Sequence, residues 1–163
     1  MTVTSCAGID NGTTGAVAIL REDGSIRVER MPVFKVGKSM FIDESALSAL
    51  LSEEGNPLTV FEQGQKNPLF GTKGNFANGY SFGVVQTVLK LGKVPHLCVN
   101  PQKWQKAVFS GMRGVKDKDT KGASIEFCRR RYPQVNLIPP RCRTPFDGFA
   151  DAICMAHYAS TLR

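Results

Sequence analysis

The sequence predicts an α/β protein: a mixed five-stranded sheet, three antiparallel strands followed by parallel ones, flanked by helices. Three observations predict it. Short β-type segments separated by turn residues fill the chain from Ser5 to Arg30, the pattern of consecutive hairpins. Farther on, short apolar runs alternate with stretches whose apolar residues recur at helical spacing, as in strand-helix-strand crossovers. Two of the apolar runs, 6–9 and 58–61, end in a carboxylate, Asp10 and Glu62, and ligand sites of open α/β sheets lie at such strand ends.

The first strand, 5–10, is apolar and contains Gly8, which suits a buried central strand, so the acid at its end is placed there for a reason. The turn Asn11-Gly12-Thr13-Thr14-Gly15 offers backbone N–H groups, two hydroxyls and glycines that admit a close approach. It suits a metal or phosphate site and equally a simple Asx-turn. A second strand at 16–20, the turn Glu22-Asp23-Gly24-Ser25 and a third strand at 26–30 follow, the third alternating apolar and charged residues as an exposed edge does. Residues 31–41, with Pro, Gly and Lys, are expected to be a connection.

Asp43 then caps a helix on which Ala46, Leu47, Leu50 and Leu51 recur at helical spacing, and Gly55-Asn56-Pro57 stops it. After the strand ending at Glu62, residues 63–74 read as a loop bearing Lys66, Phe70 and Lys73. Residues 76–91 read as a helix with a stripe of Tyr80, Val84, Val88 and Leu91, and with Gly79 and Gly83 as a small-residue face packed on the sheet or on a second copy. A strand at 94–99, a helix opened by Pro101 with Trp104 as a core residue, and a helix capped by Asp119 or Thr120 and running through Arg131 come next. Lys121 stands at that helix start, where a cation opposes the helix dipole and a phosphate contact makes the placement useful. Pro133, Pro139, Pro140 and Pro145 keep 132–145 irregular, and a last helix runs from about Phe146 to Ser160.

At 163 residues the chain is read as one domain, 1–163. Its five cysteines are scattered without a Cys-x-x-Cys pair, against both a disulfide framework and a zinc site. No charged-then-apolar leader opens the chain and no apolar run reaches about 18 residues, so the expectation is a soluble cytoplasmic protein with no membrane partner. Lysine and arginine number 21 against 14 acidic residues, a net charge of +7 that favours a polyanionic partner. The cations gather at 66–73, 103–106, 113–121, 129–131 and 141–143, in loops and helix ends suited to gripping a nucleic-acid backbone.

The last helix opens Phe146-Asp147-Gly148-Phe149-Ala150-Asp151-Ala152. Asp147 and Asp151 are four apart and share a helix face, which is unfavourable unless a cation accompanies them. Asp147 alone suits an N-cap. Asp151, embedded in the apolar run 150–156, does not, and a metal supplies its missing partner. Asp10, Glu62, Asp147 and Asp151 are hard oxygen donors, a set that selects Mg2+ or Mn2+ over zinc. Two such ions roughly 4 Å apart activate a water and stabilise the leaving oxygen of a phosphodiester. With the basic loops, that predicts a nuclease that needs no small-molecule cofactor.

The two strand-end acids and the closing Asp-Gly-x-Ala-Asp-Ala helix resemble the RuvC-type Holliday junction resolvases of the RNase H-like superfamily, particularly phage and organellar members. The similarity covers nearly the whole chain and includes the glycine helix at 76–83, Val99-Asn100-Pro101-Gln102-Lys103-Trp104, and Lys121-Gly122-Ala123-Ser124 ahead of Tyr132-Pro133. The resemblance implies an endonuclease with two Mg2+ ions per site, Mn2+ substituting, held by Asp10, Glu62, Asp147 and Asp151. It places Lys121 beside the scissile phosphate, with Lys118 competing for that role. It further implies a homodimer, in a bacterial or phage-infected cell, that nicks a four-way DNA junction symmetrically in recombination and repair. Lys66, Phe70, Lys73, Phe76, Lys103, Arg113, Lys116 and Lys118 are the candidate DNA contacts, Phe70 and Phe76 being either core residues or wedges that stack on unpaired bases. Two features depart from the family pattern: the closing acids are spaced by four where many bacterial members use three, and Phe146 stands where relatives often have His. The alternatives are a nuclease of the same fold acting on other branched DNA or on RNA, a non-catalytic junction binder, and an ATP-binding actin-like fragment. The last rests on the Asp-x-Gly-Thr-Thr turn alone and leaves no room for a second, nucleotide-closing lobe.

Overall fold

In the computed structural model, which describes residues 5–112 and 119–163, β1 (Ser5–Asp10) is the middle strand of a five-stranded sheet. Its side chains are small or apolar on both faces, so both faces can be covered. β2 (Ala16–Arg21) and β3 (Ile26–Arg30) continue outward from one side as antiparallel hairpins, while β6 (Leu58–Glu62) and β7 (His96–Val99) add in parallel on the other. The order is β3-β2-β1-β6-β7, the mixed sheet that the sequence predicts. Between β3 and β6 the chain makes β4 (Val33–Val36), β5 (Ser39–Ile42) and α1 (Glu44–Glu53), whose first turn is capped by Asp43 accepting from the Ala46 amide at 2.9 Å. The remaining helices are α2 (Gly71–Leu91), α3 (Pro101–Phe109), α4 (Thr120–Arg131) and α5 (Asp147–Ser160).

Alternation along β1 divides the core in two. Ala7 and Ile9 join Leu47, Leu50, Leu51, Val85 and Leu89 beneath α1 and α2. On the other face, Cys6 joins Trp104, Cys128, Ile153 and Met155 beneath α3, α4 and α5. Each such aliphatic side chain taken fully out of water contributes about 1.5–3 kcal/mol. Almost the whole circumference of α5 is buried, so it is the central helix of its layer. It rests directly on β1 because Gly8 has no side chain: a Cβ there would overlap the Ala152 carbonyl and the Ala156 amide. Among the described residues no helix is long and apolar enough to cross a membrane.

Three local expectations need correction. Residues 31–41 are not a plain connection: β4 and β5 pair as a separate two-stranded hairpin. Gly37, at φ +59°, takes the first position of its two-residue turn, where glycine is favoured because other residues resist positive φ. The loop expected over 63–74 closes early, in a 3-10 turn (Pro68–Phe70) followed at once by α2. The poor helix formers Gly71 and Gly74 disguise that first turn in the sequence, while the Asn75 amide ties it down through bonds to the Asn67 and Gly71 carbonyls at 2.9 and 2.8 Å. Finally, α2 buries Ser81, Val85, Val88 and Leu89, so that of the expected stripe Val88 is buried, Tyr80 and Val84 are half-buried and Leu91 is exposed. The stacking of Phe82 on Phe61, 5.7 Å between ring centres, sets this rotation, and it leaves Leu91 exposed and Gly79 and Gly83 facing open space.

Candidate active site

Parallel pairing of β1 with β6 ends at Ile9 opposite Phe61. The next residue on each strand, Asp10 and Glu62, is the last of that strand, so both acids stand at the same end of the sheet. α5 crosses this edge with its first turn, which brings Asp147 and Asp151 to the same place. Gly148 makes the approach possible, since a Cβ there would stand 3.0 Å from Asp10 Oδ2 and closer still to the Phe146 ring. Asp10, Glu62, Asp147 and Asp151 line one cleft of about 870 Å³ together with Lys121, Lys66, Phe70 and Phe146.

The other candidate contacts distribute unevenly. Lys73 and Phe76 are exposed on the first turns of α2, and Lys103 is exposed on α3; none of the three lines the cleft. Phe76 is 76 % exposed and Phe70 54 %, so neither is a core residue. Leu69 beside Phe70 is 92 % exposed, an apolar tip without burial of its own. Arg113, Lys116 and Lys118 lie outside the described residues. Asp147 is the first residue of α5 rather than its cap; the cap position is Phe146, whose side chain makes no capping bond.

The acids differ in what compensates them. Burial pushes the Asp10 carboxyl up to about 7, and the charges of Asp151, Glu62 and Asp147 push the same way against a backbone hydrogen bond from Gly12. Burial likewise raises Asp151 to about 6, opposed by the Ser124 hydroxyl, which donates to Asp151 Oδ1 at 2.5 Å. Glu62 is raised by burial and drawn down by the Trp104 indole, which donates to Oε1 at 2.8 Å. Asp147 goes the other way, lowered by a 2.6 Å ion pair with Lys121 Nζ. That lysine side chain is 74 % exposed, so the pair contributes no more than about 1 kcal/mol and exchanges readily for another anion.

Chemically, a cluster of buried carboxylates that repel one another fits a hard divalent cation, whose charge reverses the penalty on each. Asn11 Oδ1 at the same edge is buried without a hydrogen-bond partner among the described residues, a further oxygen donor unsatisfied by protein. Yet among the described residues no three His, Cys, Asp or Glu side chains are drawn together into a ready coordination sphere. Instead Glu62, Asp151 and Asp147 each have a separate partner, Trp104, Ser124 and Lys121.

No protein-family model and no curated protein sequence matches the chain. Solved structures do. Thermus thermophilus RuvC in complex with a Holliday junction substrate superposes with a TM-score of 0.65 at 17 % identity, over 95 % of this chain and 92 % of that one. A second Thermus thermophilus RuvC structure gives 0.58 at 13 % identity, over 97 % and 96 %. The chain has the RuvC fold. This likeness spans nearly the whole of both chains, while the low identity leaves the side chains of the cleft to be judged on their own geometry.

Sequence reasoning missed the partners that hold the acids. Trp104 reads from the sequence as core rather than a stacking platform, and it is fully buried, but its polar edge reaches Glu62. Ser124 and Asn11 carry no periodicity or charge signal that sets them apart. Asn11 Nδ2 donates to the Glu62 carbonyl at 2.7 Å, joining the two strand ends.

Proposed function

We propose that the chain is a Mg2+-dependent endonuclease that resolves four-way DNA junctions by paired symmetric nicks. The observation that carries this reading is the convergence of Asp10, Glu62, Asp147 and Asp151 with Lys121 on one cleft at the edge of a RuvC-fold sheet. The solved neighbour bound to a Holliday junction supports branched DNA as the substrate, and the net charge of +7 supports a polyanion.

In this reading the four carboxylates hold two Mg2+ ions, with Mn2+ as a substitute. What the metal supplies is positive charge, which acidifies the attacking water and offsets charge building on the phosphate. Asp10, raised to about 7 by burial and by the other three acids, gives up its proton more readily when that charge is present. Lys121 exchanges Asp147 for a phosphate oxygen and adds a mobile cation in the transition state. Lys66 contacts the backbone at the rim, and Phe70, with the exposed Leu69 beside it, stacks on bases unpaired at the branch point. Paired nicks require two sites, hence a second copy, and the outer face of α2, with its apolar groove beside Gly79, Tyr80, Gly83, Val84 and Leu91, is the surface that suits it.

The test is cleavage, with Mg2+, of a synthetic four-way junction beside a linear duplex, a flap and an RNA-DNA hybrid, Asp10→Asn serving as control. Paired nicks confined to the junction support the resolvase. Equal cutting of the other substrates keeps the metal site and moves the activity to a general nuclease of this fold. Full activity in Asp10→Asn would sink both.

A further inference from the structure

Glu62 is clamped from two sides. From the turn after β1, Asn11 Nδ2 donates to its backbone carbonyl at 2.7 Å; from α3, Trp104 Nε1 donates to its carboxylate Oε1 at 2.8 Å. Trp104 itself has little freedom. It is fully buried, packs edge-on against Phe109 at 5.6 Å, and sits in a helix started by Pro101 with Asn100 as its side-chain cap. Any buried indole needs an acceptor for its N–H, but a backbone carbonyl would serve that need. Here the acceptor is an acid at the end of a central strand, 42 residues away.

The chemistry of the donor matters. An indole N–H is neutral and offers a single bond, so it fixes a carboxylate without cancelling its charge, as a lysine or arginine in that position would. Among the described residues no hydrogen bond reaches the second oxygen, Oε2, and Glu62 lines the cleft.

We infer that Trp104 is a positioning residue for Glu62, its N–H fixing the carboxylate orientation and reserving the second oxygen for a divalent cation. The inference rests on the reading of Glu62 as a metal ligand. Partners of this kind orient a ligand before the ion arrives, and their loss costs about 10–100-fold in metal affinity.

The chain has one tryptophan, so the indole fluorescence comes from position 104 alone, beside Glu62, and that position can be changed without touching a second tryptophan. Replacing Trp104 by benzothienylalanine puts sulfur where the N–H was and keeps the ring system. Mn2+ binding is measured by calorimetry for both proteins, and junction cleavage is followed against Mg2+ concentration. The expected result is a loss of roughly tenfold or more in Mn2+ affinity, a matching rise in the Mg2+ needed for half-maximal cleavage, and an unchanged KM for junction DNA. Trp104→Phe should give the same metal defect, while Mn2+ quenches the wild-type fluorescence and fails to do so at the same concentration in Glu62→Gln. Wild-type Mn2+ affinity in the benzothienyl protein would overturn the positioning role and leave the nuclease reading intact. A wild-type protein that neither binds Mn2+ nor cuts any substrate would overturn both.

Discussion

The two ends of the central strands use the same residue types to opposite effect. At the start of β1, Arg21 pairs with Glu54 at 2.5 Å, Arg27 reaches Glu29, Glu53 and Glu54, and Ser5 Oγ donates to the Glu54 carbonyl at 3.0 Å. Glu54 is held below the usual carboxylate range by Arg21 first and Arg27 next. At the far end, Asp10 and Glu62 point into a cleft where the ion pair that the acids make among the described residues is Lys121 with Asp147, and Asp10 is raised to about 7. Acids that meet arginines tie elements together. Acids buried against one another carry a penalty that a bound cation or a proton relieves; it raises Asp10, Glu62 and Asp151, while Asp147 is lowered by Lys121 as Glu54 is by Arg21.

The sharpest way to break this comparison is to neutralise one acid at the repelling end. Asp10→Asn should lower junction cleavage roughly 10²–10³-fold or more, the scale on which a single charge-handling group at a reacting centre acts. It should also make the metal-free protein more stable. The sign follows from linkage: the folded pKa of Asp10 lies above the 3.8 of an ordinary aspartate, so the native state holds a proton that the unfolded chain releases. Stability is then lost as pH rises from about 4 to about 7. Asp10→Asn removes that loss, a gain of roughly 2–4 kcal/mol at pH 8 that shrinks toward pH 4. Thermal unfolding of both proteins in chelator across this range reads it, and Mg2+ should raise the wild-type melting temperature more than that of Asp10→Asn.

Next in size is Lys121→Met, expected to slow cleavage about 10–100-fold while shifting stability by less than about 0.5 kcal/mol, because its ion pair is exposed. A stability loss larger than the rate loss would make Lys121 a framework residue like Arg21. At the paired end, Glu54→Gln should do the reverse, destabilising by about 1–2 kcal/mol and leaving the cleavage rate unchanged. Its folded pKa lies below 4.5, so its contribution is present above that value and fades as pH falls through the acid range; urea titrations at pH 3 and pH 7 should show the two proteins converging at the lower pH. The smallest effect belongs to the rim: Lys66→Ala should weaken junction binding only a few-fold and reduce the salt dependence by about one phosphate contact.

Much of this architecture was legible in the sequence because it depends on local pattern. The alternation from Ser5 to Arg30, the Asp43 and Asp119 caps and the run of small apolar residues around Asp151 each act within one element, and each element lies where the pattern puts it. The β4–β5 hairpin escaped because Gly37 serves a turn and a linker equally well until its strands are paired. The rotation of α2 escaped for a related reason: Val84 and Val85 are alike in sequence, and only the stacking of Phe82 on Phe61 decides which of them is buried.

For the cleft, the sequence by itself determined which residues could carry charge to a strand end and that the chain as a whole is basic. An acid after an apolar strand, or inside an apolar helix, is costly enough to stand out from its neighbours. What only the tertiary structure decided is which acids acquire partners. Ser124 meets Asp151 across 27 residues and Trp104 meets Glu62 across 42, while Arg21 and Arg27 fold to the opposite end of the sheet. Burial and Coulomb energy depend on distance in space and on the removal of water, and neither is set before the strands pair and α5 settles on Gly8.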